Sequence, residues 1–310
     1  MNIKAPDIIR CFYYVWLMRK LLGIVGLLLW ACEQENDQLL FSDITLSSGV
    51  NFTNSLTSTP DLNPYTYRNF YNGAGVAIGD INNDGLLDVY LTGNQVDNKL
   101  YLNQGNLEFK DITQEAGVGC SGVWSTGVTL ADVNADGWLD IYVCKSGPPG
   151  SASNRHNELF INNGDLTFTE QAANYGLDIT GLSVQAAFFD YDRDGDLDCY
   201  LLTNSFKSIG NFDLIENHRQ IPDPDGGGNK FFRNDGNRFV DITTTAGIYH
   251  SNIGFGLGIT LGDFNDDSWV DIFVSNDFFE RDYLYINDKT GGFQESLVDY
   301  FESISMGSMG

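Results

Sequence analysis

Short apolar runs recur along this chain in sets of four, separated by polar residues at repeating offsets. The first run of each set is Gly75-Val-Ala-Ile-Gly79, Gly127-Val-Thr-Leu-Ala131, Gln185-Ala-Ala-Phe-Phe189 or Gly258-Ile-Thr-Leu-Gly262. The second is Val89-Tyr-Leu-Thr92, Ile141-Tyr-Val-Cys144, Cys199-Tyr-Leu-Leu-Thr203 or Ile272-Phe-Val-Ser275. The third is Lys99-Leu-Tyr-Leu-Asn103, Glu158-Leu-Phe-Ile-Asn162, Lys230-Phe-Phe-Arg-Asn234 or Tyr283-Leu-Tyr-Ile-Asn287. The fourth is Phe109-Lys-Asp-Ile-Thr113, Phe168-Thr-Glu170, Phe239-Val-Asp-Ile-Thr243 or Phe293-Gln-Glu295. Runs this short, rich in β-branched and aromatic residues and bounded by Asn and Gly, read as strands. Turns such as Asn103-Gln-Gly105, Asn162-Asn-Gly164 and Asn234-Asp-Gly236 join the third to the fourth. Four consecutive antiparallel strands per repeat predict an all-β protein, a β-propeller whose blades span about 75–113, 127–170, 184–243 and 257–297.

The polar segment between the first and second runs carries the chemistry. It reads Asp80-Ile-Asn82-Asn-Asp84-Gly85-Leu86-Leu-Asp88, then Asp132-Val-Asn134-Ala-Asp136-Gly137-Trp138-Leu-Asp140, then Asp190-Tyr-Asp192-Arg-Asp194-Gly195-Asp196-Leu-Asp198. A fourth copy, Asp263-Phe-Asn265-Asp-Asp267-Ser268-Trp269-Val-Asp271, has Ser where the others have Gly. Side-chain oxygens at positions one, three, five and nine, with a turn at six that aims the carbonyl of seven inward, form the oxygen cage that calcium prefers. The predicted ligands are therefore those of Asp80, Asn82, Asp84, Leu86 and Asp88, of Asp132, Asn134, Asp136, Trp138 and Asp140, of Asp190, Asp192, Asp194, Asp196 and Asp198, and of Asp263, Asn265, Asp267, Trp269 and Asp271, for up to four ions. An EF-hand would place a Glu at position twelve, between helices; here that position is Leu91, Val143, Leu201 or Val274, inside a strand. A plain hairpin turn would explain Asp-Gly but not so many carboxylates in one loop, since a close pair repels by roughly 1–4 kcal/mol at 4 Å. Ser268 is expected to be strained if its position needs a positive φ.

The Gly-Val-x-x-Gly-Asp-x-Asn-x-Asp-Gly-x-x-Asp pattern, with Asn-x-Leu-Tyr-x-Asn-x-Gly and Phe-x-Asp-Ile-Thr after it, resembles the VCBS/FG-GAP repeat proteins over about residues 41–310. These are cousins of the integrin alpha-subunit propeller, and the nearest branch is the cartilage-acidic-protein-like one that carries a C-terminal ASPIC/UnbV domain. The resemblance implies an extracellular, calcium-stapled propeller used for binding or adhesion. No ASPIC/UnbV domain follows within this sequence.

The ends of the repeat region carry further expectations. Phe41-Ser-Asp43-Ile44-Thr45, followed by Gly49-Val50, copies the fourth-strand signature and predicts a lone outer strand that completes the last blade. Ser305-Met-Gly307 resembles the Ser125-Thr-Gly127 lead-in to a blade, so the repeats read as cut short, an open arc or one completed in a longer protein. Ahead of them, Arg19-Lys20 and the apolar run 21–31 read as a signal peptide over residues 1–31, with a start at Met18 the alternative. The run ends at Cys32, which reads as the lipidated residue of a bacterial lipoprotein, with 32–40 as a linker. Acidic Glu33 and Glu35 beside it point to the outer-membrane surface, the periplasmic face being the alternative.

Charge and cysteine usage narrow the partners. The net charge of −25 opposes nucleic-acid phosphate and anionic lipid, so nucleic acid is excluded and the membrane is reached through the lipid anchor alone. Of the exported Cys, Cys144 and Cys199 lie in strand patterns and read as core; a Cys120–Cys144 bridge is the alternative. The oligomeric state is not legible.

No metalloprotease, nucleophile-elbow or phosphate-loop motif is present, so the chain reads as non-enzymatic. The alternative is a part of a secreted polysaccharide-degrading enzyme using His156 and His218. Topology puts the calcium loops on one face of the blades and the second-to-third loops on the other. Those loops are short at 93–98 and 276–282 but long at 145–157 and 204–229, and long loops tend to carry function. The candidate residues for a glycan or extracellular protein ligand are Arg155, His156, Phe206, Lys207, Phe212, His218, Arg219, Asp223 and Asp225.

Overall fold

The computed structural model describes residues 41–120, 124–148, 155–205, 218–222, 226–236, 238–278 and 280–302. The chain divides into a unit of residues 1–44, of which 41–44 are described and are not strand, and a unit of residues 45–310 that holds all the strands. The leader, Cys32 and the 305–310 lead-in lie outside the described residues.

Among the described residues, sixteen strands form four antiparallel sheets, each of four strands taken in chain order. Blade one is β1 (Val76–Gly79), β2 (Asp88–Leu91), β3 (Lys99–Asn103) and β4 (Phe109–Asp111). Blade two is β5 (Trp124–Ala131), β6 (Asp140–Ser146), β7 (Glu158–Asn162) and β8 (Phe168–Glu170). Blade three is β9 (Ser183–Phe189), β10 (Asp198–Thr203), β11 (Lys230–Asn234) and β12 (Phe239–Asp241). Blade four is β13 (Gly256–Gly262), β14 (Asp271–Asn276), β15 (Tyr283–Asn287) and β16 (Phe293–Glu295).

Burial explains why these strands do not simply alternate. Strands β6 and β10 are buried at every residue, because each lies mid-sheet with a neighbouring blade on both faces. Three apolar cores separate the blades. Tyr90, Leu100 and Ile112 of blade one meet Val143 and Phe160 of blade two; Tyr142 and Cys144 of blade two meet Leu201 and Phe232 of blade three; Tyr200 and Phe231 of blade three meet Val274 and Tyr285 of blade four. Blade one leaves Val76 and Ile78 about three-fifths exposed on its other face, and blade four leaves Phe264 and Tyr300 half-exposed. The inner strands approach closely: a Cβ on Gly127 of β5 would stand 2.4 Å from the carbonyl oxygen of Val184 in β9.

Two expectations about the repeats are corrected. Residues 41–45 do not form a strand; residues 45–47 are a turn. Residues 48 and 49 nevertheless reach blade one as later connectors reach theirs. The Phe109 N–H donates to the Ser48 carbonyl at 2.7 Å. Gly49 takes φ +79, and a Cβ there would stand 2.5 Å from the Phe109 oxygen, as at Gly176 against Phe239 and Gly247 against Phe293. The Ile-Thr ends of the Phe109–Thr113 and Phe239–Thr243 runs are not strand either, since the strands stop at Asp111 and Asp241. The Asp111 carboxylate accepts from the Thr113 N–H at 3.0 Å and from its hydroxyl at 2.6 Å, which turns the chain into the helical turn Thr113–Ala116.

A strap that the strand pattern does not announce crosses the inner strands. Its helical turn, Arg68–Tyr71, follows Tyr67, whose hydroxyl is 2.7 Å from Ser146 Oγ in blade two. The Arg68 guanidinium lies 5.4 Å and 5.1 Å from the ring centres of Phe255 and Phe278 at blade four. Tyr67 and Phe70 pack on Trp124 and Leu182, so one short segment ties blades two, three and four.

Candidate functional site: acidic loops and the opposite end

The loops between first and second strands fold on the same hydrogen-bond frame. In blade one, Asp80 accepts from the Asp84 and Gly85 N–H groups at 3.1 and 2.7 Å, and Asp84 accepts from the Leu86 N–H at 2.8 Å. In blade two, Asp132 accepts from Asp136 and Gly137 at 3.0 and 2.8 Å, and Asp136 from Trp138 at 2.9 Å. Blade four repeats it through Asp263 and Asp267 to the N–H groups of Asp267, Ser268 and Trp269, at 2.9, 2.7 and 2.8 Å. Backbone donors therefore hold the carboxylates of positions one and five beside each other.

The Asp at position nine has a second task. Asp88, Asp140, Asp198 and Asp271 are all buried. Each accepts one N–H from position two of its own loop and one from the last residue of the third strand, as Asp140 does from Val133 at 3.0 Å and Asn162 at 2.8 Å. Burial, the largest cause, pushes the carboxyls of Asp140 and Asp198 up to about 6 and about 7, and raises those of Asp88 and Asp271. A cation alongside would favour their charged forms.

Those third-strand Asn residues were read only as turn formers, and the structure gives them more. The amide of Asn162 donates at 2.8 Å to the Ile81 carbonyl of the preceding blade's loop, that of Asn234 at 3.3 Å to Val133, and that of Asn287 at 2.8 Å to Tyr191. Their recurrence at one offset in every repeat was the signal. Loops are also linked directly: Asn83 donates to the Gly137 carbonyl at 3.0 Å, while Arg193 donates to the Ser268 carbonyl and lies 4.2 Å over the Trp269 ring. Ala135, at the same position of the second loop, has no group to donate.

The third loop differs in its charge. In the others an Asn amide at position three donates to the carboxylate at five: Asn82 to Asp84 at 2.9 Å, Asn134 to Asp136 at 2.8 Å and Asn265 to Asp267 at 2.8 Å. Asp192 replaces that amide, and carboxylate oxygens of Asp190, Asp192 and Asp194 lie within 4.8 Å of one another. Asp190 Oδ1 and Asp196 Oδ1 are buried without a hydrogen-bond partner. Desolvation first and the Asp194 charge second push the Asp196 carboxyl up to about 6. Three clustered carboxylates and orphaned oxygens, with the guanidinium of Arg193 in the same loop turned to Ser268 and Trp269, fit a hard divalent ion. In the fourth loop Lys289 Nζ already sits 3.1 Å from Asp267 Oδ2.

Ser268 shows the expected strain. Its φ is +71, against +86, +90 and +98 at Gly85, Gly137 and Gly195. Ser268→Gly is expected to stabilise the protein by about 0.5–1 kcal/mol, because relief of a left-handed side chain exceeds the extra unfolded-state freedom of glycine. Urea denaturation of the two proteins in chelator checks this; equal or lower stability would disprove the strain.

At the other end, second-to-third loops meet the blade connectors. His156 forms a bridge with Thr180 and is exposed, whereas Arg155 beside it is 5% exposed. Lys145 is fully buried, its Nζ 3.0 Å from Glu158 Oε1, and the Cys120 thiol donates to the other Glu158 oxygen. Cys120, Cys144 and Cys199 are free thiols, so the Cys120–Cys144 bridge does not form. His218 and Arg219 lie in the turn His218–Gln220. His218 Nδ1 is 3.3 Å from Asn252 Oδ1, and Arg219 pairs at 2.7 Å with Glu280, whose side chain is wholly buried. His156 and His218 thus lie against different connectors. Phe206, Lys207, Phe212, Asp223 and Asp225 lie outside the described residues.

A profile of the FG-GAP-like repeat matches residues 80–143 and 150–201, which hold the first three acidic loops and strands around them. Those two stretches are FG-GAP-like repeats. Cartilage acidic protein 1 of Xenopus tropicalis is 31% identical to the FG-GAP chain over 154 residues, 48% of this chain and 22% of that protein. The Mus musculus protein of the same name is 33% identical over 96 residues, 31% of this chain and 14% of that one. The FG-GAP chain therefore matches about a fifth or less of the length of these relatives. Among solved structures, a lectin of Agrocybe aegerita, described by its specific recognition of non-reducing terminal N-acetylglucosamine, shares 17% identity at a TM-score of 0.37 over 74% of this chain and 50% of that one. A likeness that loose carries no argument about this chain.

Proposed function

We propose that this FG-GAP repeat protein is an exported, non-enzymatic binding module, stiffened by calcium in its four acidic loops, that takes a glycan or a protein ligand at the end of the blades away from those loops. The observation that carries this reading is the segregation of the two ends. One end concentrates carboxylates on a shared backbone frame, tied from blade to blade by Asn162, Asn234 and Asn287. The other gathers the variable loops on the connectors, through the His156–Thr180 and Asn204–Phe255 bridges. A repeated, self-bonded end suits a staple, and the irregular end suits recognition. The reading includes anchoring at Cys32 and display on the outer-membrane surface.

The test is an array of glycans and extracellular proteins probed with the calcium-loaded chain, followed by a variant in which residues 149–154 and 206–217 of the two long loops are replaced by short Gly-Ser links, so that the Lys145–Glu158 and Arg219–Glu280 pairs stay in place. Ligands captured by the parent are expected to be lost by the shortened variant at an unchanged melting temperature. Undiminished binding by the shortened protein would move the site elsewhere.

A further inference from the structure

Within that binding end, and resting on that reading, one cavity has a composition that specifies its ligand. The inner strands of blades two, three and four, with residues 73–75 that lead into blade one, surround a space of about 370 Å³ beneath the strap, near the lower end of the range, roughly 300–1,000 Å³, of small-molecule sites. Asn69 and Asn72 of the strap segment line it, as do Trp124 and Ser183 at the starts of β5 and β9. Ser146 and Asn204, at the roots of the two long loops, complete it. The cavity is therefore continuous with the bases of the insertions already argued to recognise ligand.

Its polar groups are unfinished. Asn69 is 7% exposed, Asn204 1% and Ser183 fully buried, yet Asn69 Oδ1, Asn204 Oδ1 and Ser183 Oγ have no hydrogen-bond partner. A buried oxygen without a donor costs about 1–3 kcal/mol, so unpartnered oxygens on three residues that line one space favour a molecule that brings donors. The lining contains no Asp, Glu, Lys, Arg or His, in a chain whose net charge is −25. A charged ligand would enter unpaired; a neutral one with several hydroxyls would not. Trp124, packed edge-on against Tyr67 with ring centres 5.1 Å apart, adds a rigid apolar wall for the C–H face of a ring.

We infer that this hub cavity is a site for one neutral sugar residue, held by hydrogen bonds to Asn69, Ser183 and Asn204 and packed against Trp124. The ligand of the module is then a neutral glycan whose terminal unit enters the hub, while the flanking loops contact what lies beyond it.

The test is saturation-transfer NMR and calorimetry on the calcium-loaded chain with glucose, galactose and mannose, and with glucuronate as the charged comparison. At least one neutral sugar is expected to bind at a Kd on the order of 1 mM, the level a ligand of this size reaches, with no signal from glucuronate. Ala74 lines the mouth and is itself exposed, so Ala74→Trp blocks the cavity without disturbing a packed side chain. This variant is expected to lose binding at least tenfold at an unchanged melting temperature, and Asn204→Leu to lose it as well. Failure of all three neutral sugars, equal binding of glucuronate, or undiminished binding by Ala74→Trp would overturn the site. Each can occur while array ligands still depend on loops 145–157 and 204–229. The wider reading falls separately, if the shortened loops leave array binding intact.

Discussion

Removing calcium is expected to lower the melting temperature of this protein by at least about 10 °C, measured by thermal unfolding in excess calcium against excess chelator. An ion held a hundredfold above its Kd adds about 2.7 kcal/mol per site, and each kcal/mol is worth roughly 2–4 °C for a domain of 150–250 residues. Two occupied loops reach the stated shift. Magnesium at the same concentration is expected to do much less, because it dehydrates reluctantly and demands a near-ideal octahedron. An unchanged melting temperature would remove calcium from the account of the fold.

The third loop should dominate that effect. Asp190, Asp192 and Asp194 crowd their oxygens within 4.8 Å, and no Asn amide sits among them as Asn82, Asn134 and Asn265 do in the other loops. Asp192→Asn supplies that amide. The variant is expected to melt higher than the parent in chelator and to gain less from calcium, so the two curves cross. If Asp192→Asn melts lower in chelator, the repulsion assigned to this loop is not what calcium relieves.

Much of this architecture was legible because the repeats overlay one another. The third strands begin and end where the apolar runs do, at Lys99–Asn103, Glu158–Asn162, Lys230–Asn234 and Tyr283–Asn287. Inner strands were read short: β5 starts at Trp124 and β9 at Ser183, since close packing at the hub extends pairing into residues with no apolar pattern. The Asp-Ile-Thr ends misled in the opposite sense. Ile112 and Ile242 look like strand continuations, but the preceding Asp caps the following Thr N–H and ends the ladder. Nothing periodic marks residues 67–72, so the strap was invisible; its contacts lie on three different blades. The acidic loops were legible residue by residue, because their oxygens must recur at fixed offsets. The hub was not, because its lining is drawn from three inner strands, from residues 73–75 and from the strap, and no local pattern joins Asn69 to Ser183 and Asn204.

Phe231→Ala is expected to cost about 3–5 kcal/mol, the usual range for emptying a buried aromatic site. Phe231 is fully buried in β11. Its ring centre lies 4.9 Å from that of Tyr191, 5.3 Å from Phe293 and 6.0 Å from Phe189, so it joins the third acidic loop, the third blade and the fourth blade in one cluster. Such a cavity cannot close without moving a whole sheet, because its walls belong to two blades that backbone ladders hold rigid. The loss should therefore fall near the top of the range and should be felt at the metal. Tyr191 lies inside the third loop, and its carbonyl accepts the Asn287 amide at 2.8 Å, so the variant is expected to bind calcium more weakly there as well as to unfold earlier in urea. Val240→Ala, on the outer strand β12 and 37% exposed, is the matched control and should cost under about 1 kcal/mol. Equal losses in the two variants would mean that the blades are stabilised one by one; a selective loss in Phe231→Ala, with weakened calcium binding, would show that the seam between blades three and four carries both the stability and the shape of the loop.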